Sequence, residues 1–148
     1  MTPEDGHSPS VVREAQTDED ISRCYAVMRQ LRPHLVADEF IARVRSQMTS
    51  GFRLAMLEEE SRVCAVAGFR IVENLSIGRH LYVDDLVTDE AGRSQGFGTA
   101  VIAWLDETAR RTDCLQLVLD SGVQRFDAHR FYLRAGFAIT AHHLTRKL

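Results

Sequence analysis

A single α/β domain with the element order ααβββαβαβ is what this sequence predicts, and three observations lead there. The chain has 148 residues, enough for one core that buries roughly 70% of the unfolded chain's surface and too few for two. Its 45% apolar and 26% charged content are those of an ordinary globular protein. The apolar period also changes along the chain, from helical to alternating at Phe52 and back to helical after Gly98.

The first helix is expected from about Asp18 to Leu31. Thr17 with Asp20 three residues on resembles a capping box, and Ile21, Cys24, Tyr25, Met28 and Leu31 recur at helical spacing. Pro33 drives the residue before it out of the α region, so the chain must break there. Asp38 is placed to cap a second helix carrying Phe40, Ile41, Val44 and Met48 on one side, with Gly51 ending it. Phe52 to Leu57, Val63 to Val72 and Arg79 to Thr88 are short apolar or alternating runs parted by polar turns, the pattern of an antiparallel meander. After Gly98 a helix is expected with Val101, Ile102, Leu105 and Ala109 on one face and Arg110 and Arg111 near its C-terminal end, where the helix dipole favours cations. Cys114 to Leu119 then reads as a strand, Phe126 to Ala135 as a helix and Phe137 to Leu144 as a last strand.

Met1 to Ser10 is polar and rich in Pro, Gly and Ser, so residues 1–10 are expected to form a disordered leader, leaving 11–148 as the domain. No secretory signal is read there, no apolar run approaches the roughly 20 residues of a membrane span, and a cytoplasmic location is expected. The formal net charge of −3 offers no broad footprint for nucleic acid. Cys24, Cys64 and Cys114 are odd in number and set among apolar neighbours, which favours packed thiols over a disulfide frame. His142 and His143 would alternate across a strand without a Cys, Asp or Glu at ligand spacing, so no metal site is expected.

The most informative stretch runs from Thr88 to Thr99, out of a strand, through a polar loop and into a helix. Gly96 and Gly98 sit at the helix entry, where the absent Cβ lets a ligand approach the backbone and the unpaired first-turn N–H groups form a cradle for an anion. Arg93 adds a donor fork suited to phosphate oxygens. A Walker A lysine is absent, and Val101 stands where a dinucleotide fingerprint would need its third glycine.

Arg93-x-x-Gly96-x-Gly98 resembles the R/Q-x-x-G-x-G/A pattern of the GNAT superfamily of acetyl-CoA-dependent N-acetyltransferases, and it lies between the fourth strand and third helix as in that family. Leu86-Val87-Thr88 occupies the family's L-x-V position, with Thr88 in place of the usual valine. A second stretch, Ala128 to Phe137, resembles the family's A-x-x-F-Y-x-x-x-G-F signature at every fixed position. The resemblance implies a mixed, mostly antiparallel central sheet flanked by helices. It also implies that acetyl-CoA is held by the main chain of Leu86, Val87 and Thr88 along its pantetheine arm. The pyrophosphate would fall to Arg93 and the amides of Ser94, Gln95, Gly96, Phe97, Gly98 and Thr99. Tyr132 would be the acid that protonates the departing thiolate.

An amine attacking a thioester must lose a proton, and an alkylamine with a pKa near 10.4 is almost wholly protonated at neutral pH. Asp84 and Asp85 are the acidic pair closest in sequence to the expected thioester site. Strand alternation puts Asp84 on the face of Leu86 and Thr88, making it the first choice of base and Asp85 the second. In family members that acetylate polyamines, acidic residues at the corresponding positions serve the acceptor, and two adjacent carboxylates would attract a cation. Arg125 stands where many members have asparagine, and reads either as a ligand of cofactor or acceptor or as a solvated residue at a helix start.

The expected reaction is direct acetyl transfer in a ternary complex to a primary amine, on a small molecule or on a protein or peptide. The first two helices and last strand would wall the acceptor pocket. A cysteine acyl-enzyme on Cys24 or Cys114 is the lesser route, and a non-catalytic acyl-CoA-binding module is the rival reading. The family resemblance leaves a homodimer open.

Overall fold

A computed structural model describes residues 10–93 and 95–148. The expected leader therefore lies outside the described residues except for Ser10, as does Ser94 of the glycine turn. Thr17 caps α1 (Asp18–Leu31), its side chain accepting from the Asp20 amide at 3.1 Å, and the helix spans the predicted residues. The second helix, α2 (Ala37–Met48), starts two residues earlier than Asp38 would allow as a cap. Val36 is the N-cap without a side-chain bond, and Asp38 lies in the first turn, where it still complements the helix dipole.

The meander is β2 (Arg53–Glu59), β3 (Arg62–Asn74) and β4 (Gly78–Thr88), paired antiparallel in sequence order. Asp89 then caps a single 3-10 turn, Glu90–Gly92. Gly96 is the N-cap of α3 (Phe97–Arg111), which begins one residue before Gly98, and β5 (Gln116–Leu119) completes a sheet ordered β1-β2-β3-β4-β5. The added first strand, β1 (Val11–Glu14), pairs antiparallel with β2. It escapes a sequence reading because it is a four-residue edge whose registry rests on distant charges: Arg13 donates to Glu58 at 2.7 Å, and Arg53 donates to Glu14 at 2.7 Å.

Two compact units are present, one ending at Val118 and the other running from Leu119 to Leu148. In the first, Leu54, Met56 and Val66 share a cluster with Ile21, Cys24 and Met28 of α1 and Phe40 and Val44 of α2. The opposite face of the sheet meets α3, where Phe69 and Trp104 stand edge to face at 5.7 Å and Val101 and Leu105 are buried. Each such large apolar side chain contributes about 1.5–3 kcal/mol when fully buried. No helix among the described residues is long and apolar enough to cross a membrane.

The second unit holds α4 (Phe126–Arg134), which ends at Gly136 with φ +97°. The strand expected over Phe137–Leu144 does not form. Its alternation suggested a buried face, but Ile139 and Leu144 are exposed and the segment carries no ladder pairing, without which extended backbone is no strand.

Candidate active site

Along β4 the register with β3 slips once: Val83 faces Phe69, but the next β3 residue, Gly68, faces Asp85. Asp84 is thus the extra residue of a β-bulge. Such an insertion breaks the two-residue alternation, and it overturns the expectation that Asp84 and Asp85 point to opposite faces. Both carboxylates line one cavity of about 420 Å³, walled by α1, α2 and β4, with Met28, Phe40 and Val44 supplying apolar surface.

Each carboxylate has an arginine. Arg32, the C-cap of α1, donates from Nε to Asp85 Oδ1 at 2.8 Å and from a terminal nitrogen to the Asp84 carbonyl at 3.1 Å. Arg70 of β3 donates to Asp84 Oδ2 at 2.9 Å and to Gln47 Oε1 at 3.1 Å, with its guanidinium over the Phe52 ring. The attraction for a cation expected from a bare acidic pair is therefore largely neutralised. The two aspartates also differ. Burial pushes the Asp85 carboxyl above the usual carboxylate range despite the opposing pull of Arg32. A carboxylate raised in this way is a stronger proton acceptor than a free one.

Gly68 makes room for this arrangement. A Cβ there would lie 2.6 Å from Asp85 Oδ2 and 2.6 Å from the Phe52 ring. Gly68→Ala should therefore cost about 1–3 kcal/mol by overpacking and turn Asp85 from its place. The expected result is a lower midpoint in urea and a fall in kcat with an unchanged dissociation constant for acetyl-CoA. A variant matching wild type in both would remove Gly68 from the site. The signal was in the sequence, since a glycine inside the apolar run Val66-Ala67-Gly68-Phe69 marks a close approach.

The bulge leads into Leu86–Thr88, paired on one side with Ala67, Val66 and Ala65 of β3. On the other side, β5 enters beside Arg79, where the Leu115 amide donates to the Arg79 carbonyl at 2.7 Å. Four residues starting there stop short of Leu86, so the outer edge of β4 at Leu86–Thr88 lies beyond β5. The loop that follows is pinned. Gln30 of α1 donates to Asp89 Oδ1 and accepts from the Glu90 amide, both at 3.0 Å, and Arg62 pairs with the same carboxylate. Gly92 packs so closely on Phe97 that a Cβ would come within 2.7 Å of the ring.

At Gly96 the backbone is left-handed, φ +80° and ψ 11°, and a Cβ there would meet nothing within 4 Å. The Ala100 amide bonds the Gly96 carbonyl, which leaves the amides of Phe97, Gly98 and Thr99 as the donors of the first helical turn. Arg93 and Gln95 are exposed, and Arg93 makes no ion pair with another described residue. An open, glycine-lined helix entry with a spare guanidinium has the donor chemistry that a pyrophosphate requires.

In the second unit Tyr132 is buried on α4, its ring 5.4 Å from Phe131 and 5.7 Å from Phe137. Burial raises its phenol above the ordinary value, against a lowering by Arg125, so it keeps its proton throughout the neutral range. Arg125 begins the helix, and its side chain has no partner among the described residues. His129 bonds the Gly122 carbonyl at 2.7 Å and is already engaged. His142 and His143 do not lie on a strand, and His143 approaches Asp120 at 3.5 Å. Cys24 lies against the Met56 sulfur at 3.7 Å with its thiol pushed up to about 12, far from a working nucleophile. No cluster of three or more His, Cys, Asp or Glu at metal-holding distance occurs among the described residues.

Comparison with known proteins identifies the family and the fold. The family described as "Acetyltransferase (GNAT) family" matches residues 15–137. The chain is 29% identical over 133 residues to the uncharacterized N-acetyltransferase YhdJ of Bacillus subtilis (strain 168), covering 88% of this chain and 94% of that one. It is 32% identical over 127 residues to glucosamine 6-phosphate N-acetyltransferase 1 of Oryza sativa subsp. japonica, covering 80% and 75%. Among solved structures, the aminoglycoside N-acetyltransferase AAC(6')-Iy in complex with CoA superposes with a TM-score of 0.85 over 100% of this chain and 99% of that one, at 13% identity. Motifs read from the sequence, the fold around them and the span of the family match coincide, and the chain belongs to the GNAT acetyltransferase family as an acyltransferase.

Proposed function

We propose that this acyltransferase moves an acetyl group from acetyl-CoA to a primary amine by direct attack within a ternary complex. The observation that carries the reading is the cavity beside β4, in which a partly buried carboxylate of raised pKa sits one residue before the strand end expected to hold the thioester. The amine nitrogen forms a bond to the acetyl carbon while the carbon–sulfur bond breaks. Asp85 takes the ammonium proton before attack, directly or through water, Tyr132 gives its proton to the departing thiolate, and the second proton shed by the nitrogen as the amide forms passes through water to restore Tyr132. Asp84, held by Arg70, keeps its place at the cavity wall beside the acceptor. Leu86–Thr88 hold the pantetheine arm through main-chain groups, and Arg93 to Thr99 hold the pyrophosphate. Residues 11–148 act as one catalytic domain.

Direct transfer is supported by the thiols. Burial raises Cys24, which therefore offers no thiolate for an acyl-enzyme at neutral pH, and Cys114, the other candidate, has its sulfur against Thr112 Oγ1 at 3.4 Å. Thiol release from acetyl-CoA across a panel of amines and lysine peptides tests the proposal. Turnover with some amine supports it, and tight acetyl-CoA binding without turnover by any amine favours a non-catalytic acyl-CoA-binding module. Tyr132→Phe is expected to lower kcat about 10- to 100-fold, toward the lower end of general-acid effects, with acetyl-CoA affinity unchanged. Equal kcat in the variant would take Tyr132 out of the proton path.

A further inference from the structure

We infer that the acceptor is a small amine that also carries an oxyanion, carboxylate or phosphate-like, and that Arg43 binds that oxyanion. The inference rests on the acceptor reading of the cavity and names the substrate class. It starts from a charge count. Asp84 and Asp85 bring two negative charges to the cavity, and Arg70 and Arg32 already answer them at 2.9 Å and 2.8 Å. Arg43 lines the same cavity and makes no hydrogen bond or ion pair with any described residue. His34, also at the wall, adds a further group that can carry positive charge. The balance is therefore positive, by one unit with His34 neutral.

Arg43 is exposed, and it belongs to the cavity wall. Phe40, Arg43, Val44 and Gln47 all line the cavity at the i, i+3, i+4, i+7 spacing of one helix face. Gln47 on that face orients Arg70, while Arg43 has donors to spare and a planar fork that fits two oxygens of a carboxylate or phosphate. An oxyanion at Arg43 answers the one cation that the two aspartate pairs leave over, and an acceptor so held brings its amine toward Asp85. A diamine would leave Arg43 facing a like charge, and a simple alkylamine would leave it unpaired. The volume of about 420 Å³ is near the small end of small-molecule sites, roughly 300–1,000 Å³.

Four amines of matched length test this: propylamine, 1,3-diaminopropane, 3-aminopropanoate and 3-aminopropylphosphonate. The wild-type enzyme should show kcat/KM for one or both anionic amines at least about tenfold above propylamine and the diamine, the effect of one charge-assisted hydrogen bond. The phosphonate-to-carboxylate ratio identifies which oxyanion fits. Arg43→Gln should erase the advantage through KM, Arg43→Lys should restore part of it, and Arg43→Glu should reverse it in favour of the diamine. An equal or better rate with the diamine, or a preference that survives Arg43→Gln, overturns the inference. If no amine releases thiol, dissociation constants for the same four compounds and variants decide it: tighter binding of an anionic amine lost in Arg43→Gln upholds the inference while the catalytic reading fails, and no binding of either anionic amine at millimolar concentration overturns it.

Discussion

Gly96→Trp is expected to weaken acetyl-CoA binding sharply while leaving the fold intact. The residue caps α3 in the left-handed region at φ +80°, which a side chain occupies at a cost of about 1–2 kcal/mol. Nothing in the protein lies within 4 Å of the Cβ position, so the indole meets no neighbour there and fills the space in front of the helix amides. Bulk in that space displaces a pyrophosphate, and the expected loss of affinity is at least about 100-fold, or ~2.7 kcal/mol. Gly96→Ala carries the same backbone strain with one carbon of bulk and separates the two effects, since only occlusion should scale with side-chain size. At a ligand concentration about 100 times the wild-type dissociation constant, acetyl-CoA stabilises the wild type by about 2.7 kcal/mol, and a thermal scan of Gly96→Trp should show almost none of that gain. Full protection of the variant would remove the glycine turn from the cofactor site.

How far the sequence carried the fold depended on whether the deciding contacts were local. Helix α1 was readable end to end because its cap, Thr17 with Asp20, and its apolar stripe are neighbours in the chain. The meander was readable because its turns and alternation are local too, and the strands gain a residue or more at their ends through pairing. The strand β1 was not, since its place on the sheet depends on the pairing of Arg13 with Glu58 and of Glu14 with Arg53, dozens of residues away. Alternation misled at Phe137–Leu144, where an apolar rhythm exists without a ladder partner.

The site divides in the same way. The glycine turn was legible because backbone geometry is written in glycine spacing, and Gly96 takes the left-handed conformation at the helix entry. The acidic pair was visible as a pair, but its environment was not. A one-residue bulge at Asp84 brings both carboxylates to one cavity. Their partners Arg32 and Arg70 come from α1 and β3 and bear no sequence mark of that role. Whether two carboxylates invite a cation or are already satisfied is decided by those partners, so the acceptor preference could not be read before the fold.

Asp85→Asn separates the base from its position. The amide oxygen can still accept from Arg32, so the geometry around Asp84 should persist, but the proton acceptor is gone. Only free amine can then react, and at pH 7 an alkylamine of pKa near 10.4 is about 0.04% neutral. The rate at neutral pH should fall by about 10³, within the usual span for a general base, and should climb about tenfold per pH unit toward the amine's own pKa. In the wild type the base works deprotonated, so activity is lost as pH falls through the Asp85 pKa, and that acid limb lies above the ordinary carboxylate range because burial raises it. Stability carries the same signature with the opposite sense. A carboxyl whose folded pKa is raised favours the native state most below its unfolded value and loses that contribution as pH rises through the folded one. The wild type should therefore lose stability relative to Asp85→Asn over that window in denaturant titrations at stepped pH. A variant with the acid limb unchanged would move the base to Asp84, and one that also kept the wild-type rate at pH 7 would mean that neither the proton nor the raised pKa of Asp85 enters the reaction.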